Sequence, residues 1–419
     1  MSSRHTTYVA PLVAAACGLA VFGGARLRDA ADLGARPLTD PSSLVASRGA
    51  TIQEGDYFDE VARLLEREYV EPITDEQKLA TGAVRGMIAS LNDPKSLFMD
   101  KAAFTTFLDA RSGKYQGIGA DLVLEMRGAI NAQARPDQAD PGETSPEATL
   151  ATQPRVPRLI VASLVPGGPA DKAGVKVGDA VYEVDKHWVV NTDLLVRYQK
   201  AARDWEAKKI STGDFNKIRE EVRAKTERAL LPLKAKEKLT QGAGTMVEVV
   251  WERGGAKQTM KILKAASQMP ASGVKEGVYT LRFNADAPAA LKEAAGQKTL
   301  TIDLRQNSGG DYETMRKCLE AVAPKGTYGE IRSDRGAPTP FVVKTGTANP
   351  PKMTLLVDGS TRGAAEIFAL ALESQGRAKL VGTKTAGDRT ITQIVMLPDG
   401  SGYTLATGEY AVAKKGGKS

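Results

Sequence analysis

The chain holds few residues that can carry acid–base or nucleophilic chemistry through a ring nitrogen or a thiol. It has two histidines, His5 and His187, and two cysteines, Cys17 and Cys318. A Ser–His–Asp triad or a histidine-based zinc site would rest on His187 alone, and no motif surrounds it. No CxxC pattern or metal-ligand spacing occurs, and two distant cysteines make no disulfide framework. Cys318 falls in a helical pattern and reads as a small core residue. The run Gln116-Gly117-Ile118-Gly119-Ala120 is a different kind of candidate. Its glycines let successive backbone N–H groups curl into a nest for a peptide carboxylate, beside a strand edge that accepts an extended chain.

The surrounding elements are legible from pattern. In DYFDEVARLLEREYV, Phe58, Val61, Leu64 and Leu65 recur at helical spacing. Thr74 and Gln77 make a capping-box pattern before LATGAVRGMIASL, Asp93-Pro94 breaks the chain, and a third helix is expected near 101–110. Strand patterns with glycine-rich turns occupy 115–125 and 158–190, and closing strands follow at 246–251 and 259–263. Between them, 127–157 carries five prolines and few large apolar residues, the composition of a disordered loop. Residues 274–413 alternate strand and helix, with helices expected at 288–295, 312–321 and 364–374, which argues for an α/β layer.

Length and charge set the outer limits. A chain of 419 residues exceeds one ordinary domain, and its 42% hydrophobic composition suffices for a real core. Net charge is +7, and residues 197–238 alone hold 13 Lys/Arg against 7 Asp/Glu. Mixed signs mark a solvated helical face more than a contact surface, and no nucleic-acid motif accompanies them. Trp205, Ile210, Ile218 and Leu230 offer apolar contacts within that arm, and Pro232 is expected to end or kink a helix. At the N-terminus, Arg4 and His5 precede the apolar run Tyr8 to Ala25, with Arg26 and Arg28 behind it. This is the shape of a signal sequence or membrane anchor over 1–28, followed by a polar tether over 29–55.

Four segments, in order, carry a family resemblance: EREYVEPITDEQKLATGAVRGMIASLNDP; YQGIGADL with VPGGPADKAGVKVGDAVYEVD; TIDLRQNSGGDYETM; and LLVDGSTRGAAEIFALALESQGRAKLVGTKTAGD. The chain resembles the C-terminal processing, or tail-specific, serine peptidases over nearly all of 56–410. The resemblance implies an N-terminal helical cap over 56–112 and a β-rich PDZ-like domain over 113–265, interrupted by insertions at 127–157 and 191–242. It further implies a ClpP/crotonase-like α/β core over 274–413, before a basic tail at 414–419. It implies no metal or cofactor, and C-terminal polypeptide tails or a partner protease as partners. With the apolar N-terminus it implies an exported, periplasmic or otherwise extracytoplasmic protein tethered to a membrane.

The family cuts with a serine, a neutral lysine base and an assisting glutamine. Aligned on Glu366-Ile367, those positions fall on Gly363, Asp388 and Thr392 in this chain; a one-residue shift makes Gln393 the glutamine and restores neither of the others. Asn307, Gly309 and Gly310 keep the oxyanion turn that the resemblance implies. Glycine has no nucleophile and aspartate is not a neutral amine, so a catalytically degenerate member is expected: a pseudo-peptidase binding tails or a partner. Two other readings stand beside it. One is an active endopeptidase using a shifted dyad of Ser360 and Lys384. The other is a membrane-anchored scaffold acting through the charged helices.

Overall fold

The computed structural model describes residues 54–71, 73, 75–125 and 157–412. The expected signal or anchor, the tether, Thr74, nearly all of the 127–157 insertion and the basic tail lie outside the described residues. Two units divide at Gly82. In the first, α1 (Glu54–Glu68) has its apolar residues at helical spacing, and Phe58 and Val61 are exposed there. The helix α2 (Glu76–Ser90) contains the division.

Beyond α2 the second unit continues with β1 (Phe98–Met99), α3 (Lys101–Arg111) and β2 (Lys114–Tyr115). Asp100 caps α3 by accepting the Ala103 N–H at 3.0 Å, which satisfies one of the orphan donors of its first turn. A six-stranded antiparallel sheet follows. Its members are β3 (Ala120–Glu125), β4 (Arg158–Leu164), β5 (Ala180–Val184), β6 (His187–Trp188), β7 (Met246–Arg253) and β8 (Ala256–Leu263). The order is β3-β4-β5-β7-β8, with β6 on β5. The short helix α4 (Pro169–Lys172) follows β4. Between β6 and β7 the chain makes α5 (Thr192–Glu206), α6 (Thr212–Thr226) and α7 (Pro232–Thr240).

The helices α5 and α6 form a hairpin in which Trp205 stacks on Phe215 with ring centroids 5.0 Å apart. Arg197 grips Glu221 through both guanidinium nitrogens at 2.8 Å. Pro232 starts α7 and neither ends nor kinks a helix. It occupies the first turn, where its missing N–H would have found no intrahelical acceptor and its fixed φ suits the helix. Ala235 and Leu239 of α7 bury against Ile118, Leu122 and Val161 in the core of this sheet.

The rest of the unit is a second core. After β9 (Ser267–Gln268), which pairs with β2, come β10 (Gly273–Lys275), β11 (Val278–Thr280), α8 (Ala287–Ala294), β12 (Thr299–Asp303) and α9 (Tyr312–Val322). Then follow β13 (Gly326–Arg332), β14 (Thr339–Val343), β15 (Lys352–Val357), α10 (Ala364–Ser374), β16 (Ala378–Gly382), β17 (Thr390–Met396) and β18 (Gly402–Ala411). One sheet runs β10-β11-β12-β15-β16, parallel from β11 to β16. The other is antiparallel, β1-β18-β13-β14 with β17 on β18. The core unites β12 and β15 (Ile302, Leu355), helices α9 and α10 (Met315, Cys318, Phe368, Leu372) and the antiparallel sheet (Phe341, Tyr410). The helix α10 is buried on nearly every side, which its sequence AAEIFALALES allows because it is apolar all round apart from Glu366 and its last residues.

Candidate functional site

Chain reversal after β15 builds the site. Asp358 receives the Ser360 N–H on Oδ1 at 2.9 Å, and the Thr361 hydroxyl reaches back to the Leu304 carbonyl at 3.1 Å. These bonds bend the chain into a tight turn that ends at Gly363, with φ 56° and ψ −129°, one residue before α10. Only glycine adopts that backbone without strain. A Cβ built at Gly363 would meet nothing within 4 Å, so the position faces open space.

Two loops close on this turn. The Arg362 N–H donates to the Asn307 carbonyl at 3.1 Å, and Asn307 itself is buried and donates from Nδ2 to the Leu281 carbonyl. That places the Asn307–Gly310 turn beside Gly363. The Gly363 N–H donates to the Asp388 carbonyl at 2.8 Å, which brings positions 363 and 388 together. Glu366 fixes the second loop. Its buried carboxylate accepts the Thr385 hydroxyl at 2.8 Å, the Gly387 N–H at 2.9 Å and the Asp388 N–H at 3.0 Å. Burial pushes the Glu366 carboxyl up, and these donors only partly offset it.

The Asp388 side chain is committed to an ion pair with Lys95, whose ammonium also donates a hydrogen bond to it. Burial alone would push the Asp388 carboxyl up. The Lys95 charge and hydrogen bond, with a contribution from Arg362, outweigh burial and hold it below the usual range. Lys95 lies in the turn after Asp93-Pro94, which is pinned to β18 by the Thr404 hydroxyl on the Lys95 carbonyl at 2.8 Å. Sequence reasoning missed this lysine. Only the Asp93-Pro94 chain break marked its neighbourhood, and nothing linked it to a residue 293 positions away. Arg362 was missed as well. It is 5% exposed, and its Nη2 meets Glu125 Oε1 at 2.8 Å.

The remaining sequence candidates are dispersed. Thr392 lies on β17 opposite Ala406, and its side chain makes no hydrogen bond among the described residues. Gln393 is exposed. Ser360 is buried and its Oγ has no partner among the described residues, while Lys384 is exposed. The two are not hydrogen-bonded. Of the glycine nest, Ile118 is not available to a ligand. Its N–H donates to the Leu239 carbonyl at the end of α7 at 2.9 Å, and its carbonyl accepts from Ala170. The Gly117 and Gly119 carbonyls accept from Ala265 and Val165, and Ala120 pairs with Leu164 in the sheet. Gln116 stays exposed. The α7 helix, which pattern alone could not place, explains the closure.

The six-stranded sheet touches the site turn directly. The Leu164 N–H donates to Gln306 Oε1 at 3.0 Å, and the Ser163 and Ser308 hydroxyls lie 2.8 Å apart. A cleft of about 470 Å3 opens between Leu164, Pro166 and Lys176 on one side and Gln306, Asp358 and Ser360 on the other. Cys318 is remote in chemistry as well as position, since burial pushes its thiol up to about 12.

Residues 279–417 match the family model for peptidase family S41, and residues 17–103 match that for the activating protease CtpB N-terminal domain. The carboxy-terminal processing protease CtpB of Bacillus subtilis is 25% identical over 403 residues, 93% of this chain and 71% of that protein. The chloroplastic carboxyl-terminal-processing peptidase 2 of Arabidopsis thaliana is 25% identical over 335 residues, and the match spans 56% of its length. Among solved structures, the photosystem II D1 C-terminal processing protease superposes with a TM-score of 0.51 at 19% identity, covering 85% of this chain and 87% of the other. That likeness shows a shared mixed α/β fold.

Proposed function

We propose that the chain, whose residues 279–417 match peptidase family S41, is a C-terminal processing peptidase homologue that binds polypeptide C-terminal segments without cutting them. In this reading the six-stranded sheet is a PDZ-like module, 274–413 is a ClpP/crotonase-like core and the first helices are a cap. The protein is exported and tethered to a membrane through its apolar N-terminus, so its ligands are extracytoplasmic polypeptides.

One observation carries the reading. The turn that would present a nucleophile ends on Gly363, and the residue hydrogen-bonded to it, Asp388, is an anion held by Lys95. Gly363 has no side chain with which to attack a carbonyl, and Asp388 is not a neutral amine base. The rival dyad is poorly served. A lysine base must be desolvated to be neutral, and Lys384 is exposed while the Ser360 hydroxyl is buried without a partner.

The test uses purified wild type beside Ser360→Ala and Lys384→Ala, on a casein-like substrate and on a peptide with a free C-terminal tail. No cleavage above buffer is expected from any of the three. Cleavage by wild type that disappears in both variants would overturn the reading and establish the shifted dyad.

A further inference from the structure

At the expected carboxylate nest, 116–120, the Ile118 N–H is already spent. Beyond the bond from Ile118 to Leu239, a Cβ at Gly117 would lie 2.1 Å from that same carbonyl, so the loop abuts the end of α7 with no gap. The opening at Gly363 has the parts of a separate receptor for a chain terminus. Gly309 resembles Gly363 in having nothing within 4 Å of a built Cβ. The Ala364 N–H is the first of an 11-residue helix and has no intrahelical acceptor. The Gly309 and Gly310 N–H groups donate to no backbone or side chain among the described residues. Unspent N–H groups at a helix N-terminus favour an anion.

Arg362 supplies an independent indication. It immediately precedes Gly363 and is buried, and its Nη2 is spent on Glu125. Its Nε and Nη1 have no acceptor among the described residues. Buried charged donors without acceptors call for a missing partner. The guanidinium lies close enough to the Asp388 carboxylate to stabilise its charge, and the Asp388 carbonyl holds Gly363. Asp388 would repel an incoming anion, but Lys95 neutralises it.

We propose that the opening at Gly363 is a receptor for the free α-carboxylate of a bound polypeptide, held by Arg362 and by the N–H groups of Gly309, Gly310 and Ala364. A carboxylate accepts from several donors at once and matches the guanidinium fork. The cleft lined by Ser360, on the same turn, adds the apolar Leu164 and Pro166 and the amide of Gln306, which suits a polypeptide better than a small free acid. Losing the nucleophile is then what makes room for the terminus. The proposal rests on the non-cleaving reading above and adds where, and by which end, the chain is held.

The experiment measures anisotropy of labelled octapeptides randomised in their last four residues, as free acids and as C-terminal amides, with the full-length protein. The free-acid pool is expected to bind at least tenfold more tightly than the amide pool, with acetate competing only at far higher concentration. Arg362→Gln should abolish the preference, and Arg362→Lys should keep part of it. Unaltered circular dichroism and melting establish that each variant is folded. Should Arg362→Gln fail to fold, the amide comparison on wild type and Arg362→Lys decides. Equal binding of both pools, no binding of either, or an undiminished preference in folded Arg362→Gln overturns the receptor. Equal binding without cleavage would leave the non-cleaving reading standing, whereas cleavage of the peptides would remove that reading itself.

Discussion

Replacing Lys95 by Met isolates its ion pair with Asp388. The turn around it is anchored independently by Leu97 N–H to the Thr404 carbonyl at 3.1 Å and Ala406 N–H to Ser96 Oγ at 3.0 Å, so the change removes a charge and leaves the backbone held. The Lys95 and Asp388 side chains are 28% and 18% exposed, between a surface pair and a fully buried one. Exposed pairs contribute under about 1 kcal/mol and breaking a buried one costs roughly 3–5 kcal/mol, which brackets the loss here near 2 kcal/mol at pH 7. The pH dependence gives the sharper signature. With Lys95 present the folded Asp388 carboxyl lies below its unfolded value, so its contribution is present above the ordinary carboxyl range and is lost as pH falls through the folded value. Without Lys95, burial acts against only Arg362 and the hydrogen bond from Thr390, the carboxyl rises, and protonation relieves the variant in acid. Urea unfolding of wild type and Lys95→Met from pH 7 down to pH 3 should therefore show the gap narrowing as pH falls. The double variant Lys95→Met/Asp388→Leu should recover most of the loss. A gap below about 0.5 kcal/mol at pH 7, of the size seen for surface substitutions, or one independent of pH, refutes the account.

Gly363→Ser should cost only about 1–2 kcal/mol, because φ is strained but the added Cβ meets open space, and casein turnover should stay absent with Asp388 in place. Gly310→Ala should cost at least about 3 kcal/mol in the same urea assay, since φ is 118° and the new Cβ would sit 2.7 Å from Phe283 Cβ. Glu366→Gln presents an amide N–H₂ to donors that Glu366 now satisfies, which should cost about 2 kcal/mol and raise hydrogen exchange at Gly387 and Asp388. Gln306→Ala should cost about 1 kcal/mol and speed exchange of the Leu164 amide, leaving the parallel sheet protected.

Sequence alone gave the α/β alternation of 274–413, because each element there carries its own period. The strand at 352–357 alternates buried residues with exposed or half-buried ones, the helix at 364–374 spans the residues its apolar run marks, and Asp311 caps the helix at 312–322 by accepting the Thr314 N–H at 2.7 Å. The family resemblance was legible for a related reason, since it is carried by four motif segments in order. That glycine and aspartate stand at 363 and 388 was likewise a matter of residue type, which no fold can alter. Tertiary structure decided what now surrounds those positions. Lys95 reaches Asp388, Arg362 turns inward to Glu125, and the end of α7 closes onto Ile118. Local pattern reports which face of an element is buried, whereas these three contacts join residues more than a hundred positions apart. They depend on how β18, the six-stranded sheet and the α7 insertion pack, and it is the Lys95 charge brought in by that packing that keeps the buried Asp388 an anion.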